Sequence, residues 1–428
     1  MRILFVTPYP PSRIRVRSYG FLMQLRHAHE VTIVTQSASE REKSDAEALR
    51  KQGFEVVVVQ ESRRQAVLRS SLALLSSHPL QVAYARSKAF TQTVHQLCQH
   101  RNFDVVHVEH LRGIASMEDL ARTYPLIWDA VDCISLLSQY TIAAGHSLAV
   151  RTVARLEHKR TQQYEARMLN QLQHVVVTST NDQQAMVELH RRHLNDLMSK
   201  DDVSRADIQV LPNGVDLDYF QPHQQERRRY NLVFSGKMSY HANVAAALYL
   251  HQRIMPLIWR SRPEVTLTIV GSNPPKVIQA FTSDPRVEVT GYVEDMRSYV
   301  GRAEVMLSPM VYSVGIQNKV LEAMALGTPV VVAAHAAAAL GAHPGRDLLV
   351  ATSAQEFAEC TLRLMDDSKL RASLSRHGRN YVEQQHDWRI LTGHLVDVYQ
   401  RAINACNREN EAVETASSLV SDTVLKYV

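Results

Sequence analysis

Long apolar runs are missing from this sequence. Nowhere do about 18 uncharged apolar residues stand together, which argues against a transmembrane helix. The opening, MRILFVTPYPP, has an apolar run too short for a signal peptide and meets proline at once, so it is read as a buried first strand. Cysteine is scarce. Cys98, Cys133, Cys360 and Cys406 stand far apart, with no CxxC or metal-ligand spacing. That excludes a disulfide scaffold and points to the reducing cytoplasm. No GxGxxG follows the first strand, and GxxxxGK[ST], GxSxG and HExxH are absent, so dinucleotide redox, P-loop and common hydrolase chemistries lack support. RNP, zinc-finger and helix-turn-helix signatures are absent too, and no nucleic-acid partner is expected.

What is present is an ordinary globular composition, 45% apolar and 21% charged, over 428 residues. That length suits two domains of roughly 200 residues each. The net charge of +5 is unevenly spread, with about +6 on residues 1–205 and about −1 on the rest. A basic first half suits an anionic partner, either a phosphorylated substrate or an anionic membrane surface, and equally suits plain solvated charge.

Short β-branched runs alternate with amphipathic segments. In the first half they are RILFVTP, EVTIVTQ, FEVVVVQ, DVVHVEH, PLIWDAV and HVVVTST. In the second half they are IQVLP, NLVFSG, VTLTIVG, VEVTGY, VMLSPM and PVVVAA. Such runs, bounded by Gly, Pro, Asp or Asn, read as buried parallel strands. The pattern predicts an α/β fold with two doubly wound domains, 1–205 and 206–390, followed by a C-terminal helix and tail over 391–428, for which fraying and packing back on the first domain are both open. The DWRILTGHLVDVYQRAINA segment reads as one long helix or two short ones.

Ligands of doubly wound sheets sit at the carboxyl ends of the strands. Two segments there carry the chemistry. In VYSVGIQNKVLEAMALGTPVVVA, Gly315 permits close backbone approach, and a helix beginning near Ile316 to Asn318 offers free N–H groups and a positive dipole end. Lys319 in its first turn opposes the dipole, a conflict that an anionic ligand removes. The plain alternative is a solvated pair between Lys319 and Glu322. In FSGKMSYHANV, Lys237 follows the strand end at Gly236, and a helix begins near His241 or Asn243. The DLD at Asp216–Asp218 sits in a Pro/Asn-Gly turn and reads as turn chemistry before metal binding.

LPNGVDLDYF, NLVFSGKMSYHANV, VTLTIVG, DPRVEVTGYVEDMRSYV and GIQNKVLEAMALGTPVV resemble, in order and spacing, the family-4 retaining glycosyltransferases of GT-B fold. The likeness is dense over residues 208–335 and looser to about residue 405. It implies two Rossmann-like domains facing across a cleft, a nucleoside diphosphate sugar held mainly by the second, and a hydroxyl acceptor, a glycan or glycolipid, held mainly by the first. Carried over residue by residue, it makes Lys237 and Lys319 the cations on the leaving diphosphate. Gly236, Gly315, Ile316, Gln317 and Glu322 become donor contacts, with Glu322 on the ribose. A histidine at a strand end touches the donor sugar in this family. His107, Glu109 and His110 compete for that place, and His110 at the strand mouth is the choice. Arg17, Tyr19, His107 and Asp132 are weaker candidates for acceptor or phosphate contacts, with Asp129 beside them. Arg13, Arg15 and Arg17 stand where the family often has a Gly-rich loop.

Two departures stand out. The family's first glutamate falls on Val314 and its second phosphate cation on Ala242. The expectation is a cytoplasmic, metal-independent enzyme with no cofactor. Peripheral contact with the inner membrane face is an added expectation. A GT-B nucleotide-sugar epimerase and a non-catalytic nucleotide-sugar or membrane-surface binding module are the alternatives.

Overall fold

The computed structural model describes residues 1–74, 76–115, 117–143, 148–196, 206–222, 226–312 and 315–425. The chain divides into two compact units, residues 1–211 with 392–428, and residues 212–391.

The first unit is built on a seven-stranded sheet. Its strands are β1 (Arg2–Thr7), β2 (Glu30–Ser37), β3 (Glu55–Gln60), β4 (Val105–Glu109), β5 (Leu126–Val131), β6 (His174–Val177) and β7 (Asp207–Val210), in the order β3-β2-β1-β4-β5-β6-β7. All pairings are parallel. The sequence reading placed IQVLP in the second half. The structure corrects this: its strand pairs with β6, His174 opposite Asp207, so the units part at 211/212.

The second unit holds six strands: β8 (Arg228–Ser235), β9 (Thr266–Val270), β10 (Val287–Val289), β11 (Ala303–Ser308), β12 (Val330–Ala333) and β13 (Leu349–Ala351). Their order is β10-β9-β8-β11-β12-β13, again all parallel. Alternation along the strands feeds two cores. Leu232, Phe234, Leu267, Ile269, Val305 and Leu307 pack on one face. Val233, Val270 and Met306 pack on the other. Both faces are buried, so the strands read as continuous apolar runs rather than as alternating ones.

In each sheet the strand order reverses once, between β1 and β4 and between β8 and β11. A crevice forms at such a switch point, where neighbouring connections leave on opposite faces. Buried hydroxyls without a hydrogen-bond partner among the described residues mark both places: Thr7 at the end of β1, and Ser235 and Ser308 at the ends of β8 and β11. The C-terminal segment is a single helix, Trp388–Leu425, whose residues from Thr392 onward belong to the first unit.

The turn after β8 depends on backbone proximity. A Cβ at Gly271 (φ +150°) would lie 1.7 Å from the carbonyl oxygen of Gly236, whereas a Cβ at Gly53 (φ +90°) would meet nothing within 4 Å. Gly271→Ala should therefore lower stability by more than about 2 kcal/mol, against about 1 kcal/mol for Gly53→Ala, which carries backbone strain alone. Chemical denaturation of the two variants measures the difference, and equal losses would remove the close-approach argument.

Candidate functional site

The site in the second unit is assembled from the ends of β8 and β11 and the starts of two helices. The helix His241–Tyr249 begins directly after the β8 turn, and the amide N–H of Asn243 donates to Tyr240 O at 2.9 Å. The second helix, Asn318–Ala325, has Gln317 as its N-cap, with no side-chain cap. Gly327 (φ +69°) ends it, and β12 follows at Val330. Its hydrophobic stripe, Val320, Leu321, Ala323 and Met324, is buried in the second core. That packing fixes the direction in which the first turn points.

Asn243 is the clamp of this site. Its Nδ2 donates to Lys237 O at 3.0 Å, and its Oδ1 accepts from Lys319 Nζ at 2.5 Å. The ammonium of Lys319 also lies 3.7 Å from Met310 Sδ and 4.6 Å from the centroid of the Phe234 ring. It has one oxygen acceptor among the described residues. Burial pushes its pKa down to about 7, against a smaller upward pull from Glu322. Glu322 is half-buried, and its carboxylate makes no hydrogen bond and no ion pair among the described residues. Burial pushes its carboxyl up to about 7, with Lys319 opposing. The solvated ion pair is thus not formed: no contact within 4 Å joins the two groups.

Lys237 is exposed, and its ammonium meets no partner among the described residues. Gly236 leaves no room for a side chain: a Cβ there would come within 2.8 Å of Asn243 Nδ2 and 3.2 Å of Lys319 Nζ. Gly315 (φ +61°) and Ile316 are buried, and Gln317 is half-buried. The amides of Asn318 and Lys319, in the first helical turn, lack intrahelical acceptors. His241 Nδ1 and Tyr312 Oη share a hydrogen bond of 2.7 Å, and their rings stack at 5.6 Å. Asp216 Oδ1 accepts from Tyr219 N at 2.9 Å, which makes the DLD segment a turn. Val314 lies outside the described residues. The structure therefore brings Gly236, Lys237 and Lys319 around Asn243, with Glu322 one turn along the same helix. Asn243 itself, Phe234 and Met310 escaped the sequence reading, because nothing local distinguishes a clamping asparagine from any other helix-start residue.

The first-unit candidates separate into two groups. His107 is a core residue. It is fully buried, stacked on Phe5 at 4.1 Å, and hydrogen-bonded through Nδ1 to Tyr399 Oη at 3.0 Å. Its expected place in a ligand site is corrected. β4 is a central strand covered on both faces, so alternation exposes neither His107 nor its neighbours. Burial holds its pKa down at about 4. Arg17 is corrected likewise. It is buried, with Nε donating to both oxygens of Asp129 at 3.0 and 2.7 Å and Nη1 donating to Leu211 O at 2.9 Å. Asp129, fully buried in that pair, is no acceptor contact either.

His110 stands at the mouth of β4 in left-handed backbone (φ +67°), a strained conformation for a non-glycine residue. Its Nδ1 accepts from Arg112 N at 3.2 Å. Burial, with Arg112 adding to it, lowers its pKa to about 3, so the ring is neutral. Glu109 accepts from Ser18 Oγ at 2.6 Å through one oxygen, while its buried Oε2 has no partner among the described residues. Burial raises its carboxyl to about 7. Asp132 accepts from Thr178 Oγ1 at 3.0 Å, and burial, then Asp182, raise it to about 7. Tyr19 Oη accepts from Gln52 Nε2 at 3.3 Å. Asp132 is not a helix cap: Glu165 accepts from Ile134 N and Ser135 N at 2.8 and 3.2 Å and fills that role.

Residues 229–367 match the family model for glycosyl transferases group 1. One relative is a GDP-mannose-dependent monoacylated alpha-(1-6)-phosphatidylinositol monomannoside mannosyltransferase of Corynebacterium glutamicum. It is 27% identical over 46% of this chain, and the match spans only 57% of that relative's length. Another is the MMP alpha-(1->4)-mannosyltransferase of Mycolicibacterium hassiacum, 24% identical over 71% of each chain. Among solved structures, Anabaena HepE in complex with UDP is similar with a TM-score of 0.64 at 14% identity, covering 94% of this chain and all of that one. Sucrose-phosphate synthase from Thermosynechococcus elongatus is similar with a TM-score of 0.67 at 14% identity, covering 95% of this chain and 100% of that one.

Two doubly wound parallel sheets with this correspondence define the GT-B fold. The second unit carries the pattern of the group 1 glycosyl transferases over residues 229–367, and the whole chain shares the GT-B fold with these structures.

The lowered pKa of Lys319 makes a signed prediction. The unfolded chain keeps this lysine protonated to about pH 10, while the folded chain releases the proton near 7. Between those values the unfolded state binds more protons, so this residue makes stability rise with pH. Relative to Lys319→Met, the wild type should gain on the order of 1 kcal/mol or more between pH 7 and 10. Urea unfolding of both proteins across that range measures it, and parallel curves would mean that Lys319 titrates normally.

Proposed function

We propose that the chain is a retaining glycosyltransferase that moves a sugar from a nucleoside diphosphate sugar to a hydroxyl acceptor, a glycan or glycolipid, in the cytoplasm and without a required metal. The observation that carries this reading is the Lys319 ammonium, buried at a helix start with one oxygen acceptor and its pKa depressed. A diphosphate there restores the charge of Lys319, takes hydrogen bonds from the first-turn amides, and meets Lys237 from the solvent side. The four cysteines are free, which fits a reducing compartment.

Reaction follows from the same arrangement. As the bond between the sugar and the diphosphate breaks, negative charge grows on the leaving oxygen. Two cations and a helix dipole aimed at that oxygen stabilise the transition state more than the ground state. Glu322, whose carboxylate has no partner among the described residues, suits the ribose hydroxyls. The acceptor hydroxyl attacks from the face the diphosphate leaves and passes its proton to the departing phosphate oxygen, so the anomeric configuration is kept. Neutral His110 exchanges hydrogen bonds with a sugar hydroxyl rather than donating a charge. The place of Val314 in the family's donor-sugar contact passes to the backbone of Gly315, Ile316 and Gln317. Glu109 and Thr7, with buried oxygens lacking partners, mark the acceptor side of the first unit.

Both curated relatives bear mannosyltransferase names and one is GDP-mannose-dependent, while the Anabaena structure holds UDP. GDP-mannose and UDP-glucose are therefore the first donors to test. GDP or UDP should raise the melting temperature of the wild type, and Lys237→Ala or Lys319→Ala should abolish the shift. A protein that no nucleoside diphosphate stabilises would sink the reading. With donor and acceptor present, the product's anomeric proton coupling should match that of the donor sugar, and chelator should leave the rate unchanged. An inverted product would exclude retention while leaving the diphosphate site intact.

A further inference from the structure

The first unit carries a helix that faces the wrong way. Arg63–Ala73 fully buries only Ala66 and Ala73, while Val67, Leu68 and Leu72 are 56%, 60% and 65% exposed. A surface helix gains its place by burying its large apolar residues, and this one turns them to solvent. The exposed side chains continue past its end. Leu74 is 53% exposed, and Arg160 of the helix Leu148–Gln171 donates to Leu74 O at 2.7 Å. On that second helix, Glu157 accepts from Leu80 N at 2.8 Å, and Leu156 beside it and Val153 one turn earlier are 49% and 54% exposed. Both helices thus expose large apolar side chains beside the Leu74–Leu80 connection, and clusters of this kind mark interaction sites.

Charge decides what covers it. Residues 62–103 and 133–156 contain no Asp or Glu. The carboxylates next in sequence to the two helices' exposed residues are occupied, Glu61 by Arg69 and Glu157 by Arg160. Arg63, Arg64, Arg155 and Lys159 are exposed and make no ion pair or hydrogen bond among the described residues. A second copy seated on this face would bring like charges together. An apolar surface bordered by free cations instead matches the boundary between acyl chains and anionic headgroups. No helix among the described residues is long and apolar enough to cross a membrane, so contact of this kind lies at the surface.

We infer that the Arg63–Ala73 helix, with Leu74, Val153 and Leu156, is a docking surface for an anionic lipid bilayer. The inference is independent of the proposed reaction. Its test is flotation of the full chain with vesicles of phosphatidylcholine alone, or of phosphatidylcholine and phosphatidylglycerol in equal parts. The wild type should float with the anionic vesicles, less so at high salt, and weakly with the neutral ones. Leu68→Ser/Leu72→Ser should abolish flotation, and each of Arg63→Ala and Arg64→Ala should weaken it about fivefold. These positions are exposed, so the melting temperature and its shift with nucleoside diphosphate should stay unchanged, which separates this result from failure of the donor site. Three outcomes would overturn the inference. They are no flotation of the wild type, flotation of the double serine variant equal to wild type, or a wild-type dimer in light scattering that the double variant dissociates.

Discussion

A buried ammonium is the constraint on which the second unit's site depends. Lys319 cannot hold its charge cheaply among Phe234, Met310 and the buried stripe of its own helix. One amide oxygen and one ring face offset part of that cost. The rest appears as a pKa near 7. Every neighbouring feature serves this placement. Asn243 must direct its oxygen at Lys319 and its nitrogen at Lys237 O, Gly236 must lack a side chain, and Gly271 must let the backbone pass. A group held in this state gains most when an anion arrives, which is why stability and function conflict here and why the conflict is informative.

The first unit shows a second way of handling buried charge. Arg17 and Asp129 are paired through both carboxylate oxygens, and Arg17 also reaches the last residue before the unit boundary. That pair joins a helix, a central strand and the chain's exit from the sheet, so it reads as architecture. Glu109, opposite Asp129 on the adjacent strand, keeps one oxygen without a partner among the described residues. The contrast separates structural from available polar groups better than residue type does.

Much of this was legible locally. The strands were visible because parallel strands buried on both faces are runs of β-branched residues, and RILFVTP or PVVVAA can hardly be anything else. The Asn318–Ala325 helix was visible from Lys319, the apolar stripe and Gly327. Other features were not. Alternation failed for His107 because β4 is central. The strand Asp207–Val210 went to the wrong half because its partner, β6, is defined by pairing and not by composition. Val67, Leu68 and Leu72 look like any buried helix face until their exposure is known.

By itself, the sequence determined the two rounds of strand and helix, the glycines at the turns, and the cation at the start of a helix. These depend on periodicity and on backbone freedom, which neighbours in the chain decide. Tertiary structure alone decided which polar groups are spent and which remain available. Asn243 reaches Lys319 across 76 residues, and Arg17 reaches Asp129 across 112. Desolvation acts on such distant partners together, and no local pattern records it.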